Sequence, residues 1–490
     1  LPLHPRDTEP GQETLGARLG QWMVRKLARE LGVLVTGGSS TIADSWVALR
    51  LAAATARAQM LGAASLRWKQ PVAELTVRDG EVFHGDERLA HYGELVEAAQ
   101  TTRPGEVRFV PRAQWRLIGR PQPRLDTLAK SQGRAIYGID VRQPGQRFAV
   151  LRHAPALGGR LGALKNEAAV RALPGVEALL RLPAPTGGTE AVAVVARNTW
   201  LARRALDMLE VEFLPPEGPL ADSAAIGDAL AATARDAAAS DRGHGFHAEG
   251  EPEHALAHAD RVVEATYRAP YLAHATMEPM NATVRVADVA VEVWAPTQVP
   301  GLAREAAARA AGVDAAKVTL HMMLLGGGFG RRLEVDHVVQ AVHVARALPG
   351  QAVQLLWPRE EDFTHDFYRP AGAAVLRAVL DSHGQPRALL IHSAGDAITP
   401  RWLARNVPGL SGPLDAPDKT AAEGLFDLPY AIPHQRMRHV ATRHPVPVGN
   451  WRSVGHSHNA FFSEGFLDEL AHAAGADPLA YRLGLLADAP

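Results

Sequence analysis

Gly326-Gly-Gly-Phe-Gly-Arg-Arg332 is the stretch on which the reading of the chain turns. It stands between an apolar run, residues 318–325, and a segment with helical periodicity, residues 333–348, so the local pattern predicts strand, tight loop, helix. Four glycines in five residues leave no Cβ in the way of a bulky anionic ligand that approaches the backbone N–H groups. Those amides are expected at a helix N-terminus, where the dipole favours phosphate or oxyanion. The same glycines would serve a hinge required by close packing, and the residues alone leave both readings open. A dinucleotide site of the Gly-x-Gly-x-x-Gly type does not fit, because the glycines fall at 326, 327, 328 and 330.

Working outward, residues 262–267, 282–286 and 291–294 read as strands and residues 302–311 as a helix, so the region 245–490 alternates in the manner of a layered α/β domain. After Trp357 prolines recur and the pattern loosens until an amphipathic helix over 459–472, followed by one opened by Asp477-Pro478. Residues 116–240 carry strands at 147–152, 176–182 and 191–196, a helix starting near Thr199 and an alanine-rich helix over 220–240, an α+β pattern. Asp241-Arg-Gly-His-Gly245 reads as a flexible join. Residues 1–115 begin with a helix over 14–31. The polar loop Thr36-Gly-Gly-Ser-Ser-Thr41 then leads into a helix over 42–64 that Asp44 or Ser45 would cap. Asp79-Gly80 closes a hairpin. Three domains are expected, 1–115, 116–240 and 245–490, with an exposed connection over 112–123.

Composition excludes several classes. With 52 basic and 53 acidic residues, nothing points to nucleic acid or an anionic membrane as partner. The absence of cysteine rules out disulfides, thiolate zinc and cysteine-held iron–sulfur clusters on this chain, and there is no c-type haem motif. No run of 18 apolar residues occurs, and Leu1-Pro-Leu-His-Pro-Arg6 carries no signal-peptide pattern, so the N-terminus reads as processed or truncated. His274 and Glu278, four residues apart, would suit a metal on a helix, but Pro279 favours a structural role for both.

A series of short motifs then lines up in order: Glu9-Pro-Gly-Gln12, Gly37-Gly-Ser-Ser40, Arg124-Leu-Asp126, Tyr137-Gly-Ile-Asp140, His274-Ala-Thr-Met-Glu-Pro279, Pro296-Thr-Gln298, the glycine loop, His365-Asp-Phe-Tyr-Arg-Pro370 and Trp451-Arg-Ser-Val-Gly455. Together they resemble the molybdopterin-binding large subunits of the xanthine dehydrogenase superfamily. The match is nearest to the isoquinoline 1-oxidoreductase beta-subunit type, a group that includes nicotinate and aldehyde dehydrogenases. The resemblance implies a mixed α/β and α+β multidomain fold. Residues 1–115 would be a permuted part of the second molybdopterin-binding domain, 116–240 an α/β hammerhead domain, and 245–490 the first molybdopterin-binding domain.

The resemblance also implies a molybdenum hydroxylase that acts on N-heteroaromatics or aldehydes with water as the oxygen source. Its cofactor would be molybdopterin cytosine dinucleotide. Gly327, Gly328, Phe329, Gly330 and Arg331 would lie against the cofactor, with Phe329 on the substrate side. Gln298 would hydrogen-bond an oxygen on the metal, and Arg452 would stabilise negative charge developing on the substrate. Gln12, Gly38, Ser39, Ser40 and Thr41 would touch the pterin and the dinucleotide tail. A small ferredoxin-like subunit would carry the [2Fe–2S] clusters that this cysteine-free chain cannot hold, with a cytochrome c as a further acceptor. Relatives of this subgroup suggest a periplasmic location, with a cytoplasmic one still open.

Two departures stand out. The family's general base, a glutamate near the C-terminal end of the large subunit, is expected beyond Pro490, and Glu334 is one step out of line with the family's loop glutamate, at whose place Leu333 stands. The alternative expectation is therefore a truncated or split, non-catalytic scaffold half that needs another chain, carrying the C-terminal portion, to supply the glutamate. At the front, Pro10 and Glu13 replace the family's methionine and glycine beside Gln12.

Overall fold

The computed structural model of the protein describes residues 26, 34–218, 220–288 and 290–486. Gln12 and, apart from Lys26, the helix expected over residues 14–31 lie outside them. The described residues fall into two units, Thr36–Ala135 and the chain from Ile136 onward. The first unit thus runs past the expected boundary at residue 115.

In the first unit, helix α1 (Thr41–Trp68) is followed by an antiparallel meander of β1 (Leu75–Arg78), β2 (Glu81–His84) and β3 (Glu87–His91). Asp79 (φ 50°) and Gly80 (φ 80°) take the left-handed conformations that a two-residue hairpin needs. Leu61, Ala64, Leu75, Val82, Ala90 and Leu95 form the core between helix and sheet. Neither Asp44 nor Ser45 caps α1: the residue before the helix is Ser40, and Asp44 sits in the first turn, where its charge suits the helix dipole.

Among the described residues, the second unit holds fourteen strands in three sheets: β4 (Arg147–His153), β5 (Arg160–Leu164), β6 (Val176–Leu182), β7 (Ala191–Ala196), β8 (Val211–Leu214), β9 (His244–Glu249), β10 (Val262–Ala269), β11 (Asn281–Ala287), β12 (Ala290–Ala295), β13 (Val318–Met322), β14 (Ala352–Leu356), β15 (Gly372–Leu380), β16 (Pro386–Asp396) and β17 (His434–Thr442). A seven-stranded sheet has the order β13-β12-β11-β14-β4-β7-β6, a five-stranded sheet the order β10-β15-β16-β17-β9, and β5 pairs with β8. Helices α2 (Thr199–Met208), α3 (Ser223–Ser240), α4 (Pro300–Ala311), α5 (Asp336–Ala345), α6 (Arg359–Thr364), α7 (Thr399–Asn406) and α8 (His456–Ala474) cover the sheets or link them.

The seven-stranded sheet joins regions that the sequence pattern separates. β14 runs parallel to β4, with Val353 opposite Arg147 and Leu356 opposite Val150, so strands from 116–240 and from 245–490 share one sheet. One core, with Ala193, Val195, Val284, Val293, Val338, Val342 and Val353, packs that sheet against α4 and α5. The expected flexible join at 241–245 is ordered: Asp241 (φ 49°) ends α3, and β9 begins at His244 and pairs with β17. The region after Trp357, where the pattern loosens, supplies the long central strands β15, β16 and β17. β16 is buried on both faces for almost its whole length, so it shows no alternation of apolar and polar residues.

Candidate functional site

The glycine loop leaves β13 and enters a 3₁₀ turn, Arg331–Leu333, before α5 begins at Asp336. The expected helix at 333 therefore starts three residues later, and its first turn already holds the carboxylate of Asp336 against Arg331 (2.9 and 2.7 Å). An anion at the loop would meet the loop's own amides rather than the α5 dipole.

Protein neighbours account for three of the four glycines. A Cβ on Gly326 would lie 2.4 Å from Glu278 Cβ, one on Gly328 2.6 Å from Gln298 Oε1, and one on Gly330 (φ 108°) 1.4 Å from the Asn450 carbonyl oxygen. Distant segments thus press on the loop so closely that only hydrogen fits at these positions.

Beneath the loop lies a buried charge network. Glu278 accepts hydrogen bonds from Gly326 N (2.8 Å), Ile139 N (2.9 Å), Asn281 Nδ2 (3.0 Å) and Arg332 Nη2 (3.1 Å). Arg332 also donates to the carbonyls of Gly327 (2.8 Å), Glu278 (2.9 Å) and Pro296 (3.3 Å). Burial lowers its pKa to about 10, and Glu278 offsets part of that shift. Burial also works against the charge on Arg331, but Asp336 and Asp366 outweigh it and raise the pKa above the ordinary value. Arg331 Nε is 3.0 Å from Asp366 Oδ1, close enough for an ion pair but not aligned for a hydrogen bond. Burial pushes the Asp366 carboxyl up, yet His274 and Arg331 hold it below the usual range. His274 binds Asp366 through Nδ1 (2.9 Å), and its Nε2 faces Asn450 O at 3.1 Å. Residues 274–278 are not helical, so the helical spacing that a metal pair would need is not present, and both side chains are hydrogen-bonded within this network.

The outer side of the loop differs. The N–H groups of Gly327, Gly328 and Phe329 donate to no acceptor among the described residues, although Gly326 N and Gly330 N on either side are engaged. Phe329 (φ 55°) holds a left-handed conformation and is 41% exposed. Gln298 is fixed at both ends, its N donating to Arg332 O (2.9 Å) and its Oε1 accepting from Gly330 N (3.2 Å). Arg452 is exposed, two residues past the Asn450 carbonyl that closes on Gly330. Trp451 Nε1 donates to Ala273 O (3.1 Å), and Ser453 (φ 67°) and Val454 (φ 49°) are both left-handed, so the turn that carries Arg452 is tightly held.

Of the residues expected at the site, the structure brings together Gln298, Gly327, Gly328, Phe329, Gly330 and the turn that bears Arg452. Arg331 is different: its guanidinium is sealed beneath the loop between two aspartates, so it supports the site from below. Glu334 is buried and bound by Arg405 (2.6 Å) and Asn406 (3.0 Å), as its displaced position in the sequence suggested. Gly38, Ser39, Ser40 and Thr41 belong to the first unit, where Gly38 (φ 62°) and Ser39 (φ 54°) turn the chain into α1. Sequence reasoning missed Asn450 and Thr276 against the loop and the pairing of Asp366 with Arg331. Asp366 was legible only as part of a motif, since no spacing links it to residue 331.

These features can be set beside known proteins. The fold is similar to that of aldehyde oxidoreductase from Desulfovibrio gigas, which superposes with a TM-score of 0.54 over 74% of this chain and 42% of that one, at 19% identity. The profile of the molybdopterin cofactor-binding domain matches residues 238–484. The beta subunit of isoquinoline 1-oxidoreductase from Brevundimonas diminuta is 30% identical over 94% of this chain and 62% of its own length. A nicotinate dehydrogenase subunit from Pseudomonas putida is 29% identical over 92% of this chain and 38% of its own. The chain belongs to the xanthine dehydrogenase family of molybdopterin-binding subunits. It spans about three fifths of the first of these relatives and less than half of the second.

Proposed function

We propose that this chain binds molybdopterin cytosine dinucleotide in an oxidoreductase that hydroxylates N-heteroaromatics or oxidises aldehydes, with water as the oxygen source. The observation that carries the reading is the run of N–H groups at Gly327, Gly328 and Phe329 that are unengaged among the described residues, flanked by Gln298 and the turn of Arg452. A preorganised set of such donors suits the oxygen-rich end of this cofactor. When bound, the group supplies the two-electron redox centre of the reaction.

The chain's own residues would bind and orient. The loop amides would hold cofactor oxygens without reorganising, because Glu278 and Arg332 fix the loop from below. Gln298, whose Oε1 is held by Gly330 N, would present its carboxamide in one orientation. Phe329 would pack against a planar substrate ring, and Arg452 would stabilise negative charge as it develops on the substrate. The named relatives are oxidoreductase subunits, which supports an enzyme over a non-catalytic scaffold. Electrons would leave through [2Fe–2S] clusters on a small ferredoxin-like partner, since this chain has no cysteine, and then to a cytochrome c in the periplasm.

The test is to purify the chain together with the products of its neighbouring genes, measure molybdenum, iron and cytidine nucleotide, and assay isoquinoline, nicotinate and benzaldehyde with a dye acceptor. Stoichiometric molybdenum with one substrate class turned over is expected. A folded complex without molybdenum or pterin overturns the reading, and molybdenum without iron overturns the partner.

A further inference from the structure

Three side chains from two segments meet beside a cavity of about 590 Å³ that Asp336 and Asp366, from the network beneath the glycine loop, also line. His153 ends β4, Glu361 lies in α6, and His365 follows that helix. The ligand atoms of the three all lie within 4.8 Å of one another, and among the described residues this is the only such group of three. His153 and His365 are buried, their rings stack at 4.3 Å, and both line the cavity.

The hydrogen positions are constrained by their partners. His365 Nε2 is 3.0 Å from Ala154 O, which can only accept, so Nε2 carries the hydrogen and Nδ1 presents a lone pair. That lone pair faces Glu361 Oε2 at 3.3 Å. Thr364 Oγ1 is also near Nδ1 (3.0 Å), but its hydrogen is directed to Glu360 O at 2.7 Å. With His365 neutral, two electron-rich atoms therefore face each other with no hydrogen between them. His153 Nδ1 is 2.7 Å from the same Oε2, and its Nε2 is 3.0 Å from Gln340 Nε2, while the buried Oε1 of Gln340 has no partner. A half-turn of that carboxamide, a difference in O and N assignment alone, satisfies Oε1 with His153 Nε2–H and turns the Nδ1 lone pair onto Glu361. Each imidazole then donates its outer hydrogen to a fixed oxygen, the arrangement that orients metal-bound histidines.

We propose that His153 Nδ1, His365 Nδ1 and the Glu361 carboxylate bind a divalent transition-metal ion of the zinc class, with the fourth coordination position toward the cavity. Two imidazoles and one carboxylate suit such an ion, and bond lengths of about 2.0–2.1 Å require donor separations of roughly 3.4 Å, so the His153–Glu361 contact opens slightly on binding. In the metal-free chain the neutral His153 ring keeps its hydrogen on Nδ1, toward Glu361, and accepts from Gln340 Nε2; on binding the ion that hydrogen is lost, Nε2 becomes the donor and the Gln340 carboxamide turns its Oε1 to it. The inference does not depend on the function proposed above, because its readout is the bound ion itself.

The experiment strips the full chain with a chelator and titrates it with Zn2+, then with Co2+ as an optical probe. One ion per chain, a tetrahedral Co2+ spectrum, and two imidazoles counted by X-ray absorption on the unmodified chain are expected. Glu361→Gln and His365→Gln should each weaken Co2+ binding at least tenfold, and Gln340→Leu, which acts only through His153, less. His84→Gln, at the exposed His84–Glu74 pair, should leave it unchanged. The proposal is overturned if the folded wild-type chain gives no Co2+ spectrum, if the imidazole count is not two, or if Glu361→Gln leaves binding intact. Where the Gln variants fail to fold, the imidazole count alone decides.

Discussion

Below the glycine loop, Arg331 and Arg332 are fully buried and every cation there has a carboxylate or a set of carbonyls against it. Above it, the N–H groups of Gly327, Gly328 and Phe329 are unengaged among the described residues, and Arg452 is exposed without an ion pair there. Among the described residues, the charges of the lower face are met by the chain itself, and three successive amides of the upper face are not. The lower face uses buried charge to hold the backbone still, which lets the upper face keep donors free for a ligand.

The sharpest way to break this comparison is to remove Asp366. Asp366→Ala leaves His274 Nδ1 without its partner and strips one of two carboxylates from buried Arg331, so stability should fall by about 3–5 kcal/mol. A thermal melt within a degree or two of wild type would show that the lower face is not held by charge. Next in size is Gly330→Ala. With φ 108° and a Cβ directed into Asn450 O, it must shift the 449–451 turn, at a cost of about 1–3 kcal/mol for the backbone alone. The variant should also lose molybdenum on gel filtration, and full retention would detach the turn from the site.

A third prediction concerns the five-stranded sheet, where buried histidines stand in place of ion pairs. Burial lowers His439 to about 4 and His458 to about 3. Both must gain protons on unfolding, so the unfolded chain binds more protons between the ordinary imidazole value of about 6.5 and these lowered values. Stability is therefore full above about pH 6.5 and falls with acidification toward pH 4, at up to about 1.4 kcal/mol per pH unit for each histidine. Denaturant melts between pH 7 and 5 on His439→Gln should show a shallower slope than wild type.

The smallest effect on stability is expected at Arg452→Ala, within about 0.5 kcal/mol, because the side chain has no ion pair among the described residues. Activity should nevertheless drop roughly a hundredfold in kcat/KM if Arg452 faces developing charge. Loss of stability without loss of activity would invert the comparison of the two faces.

Legibility in the sequence follows the same division. The strand–loop–helix pattern around residues 318–345 was readable because each element has its own local period, and Asp79-Gly80 marked its hairpin by turn chemistry. β15 and β16 were not readable: they are buried on both faces, so the period-two signal that betrays a half-exposed strand is absent. At the site, glycines and motif residues could be named in advance, but nothing in the spacing distinguishes Arg331, paired with two aspartates, from Arg332, set against Glu278 and carbonyls. His365 was legible only as the first residue of its motif, and nothing linked it to Glu361, four residues before it, or to His153, 208 residues before Glu361.

By itself the sequence determined the absence of any cysteine-held cluster on this chain, the loop with its glycines, and the ordered motifs that mark the family, because composition and short-range pattern are properties of contiguous residues. Only the tertiary structure decided that β4 joins β14, that Asn450 closes on Gly330, and which of two adjacent arginines faces Asp366. Those choices depend on strand register and close packing between segments far apart in the chain, where a one-residue slip would turn every side chain to the opposite face, and no local stretch carries that information.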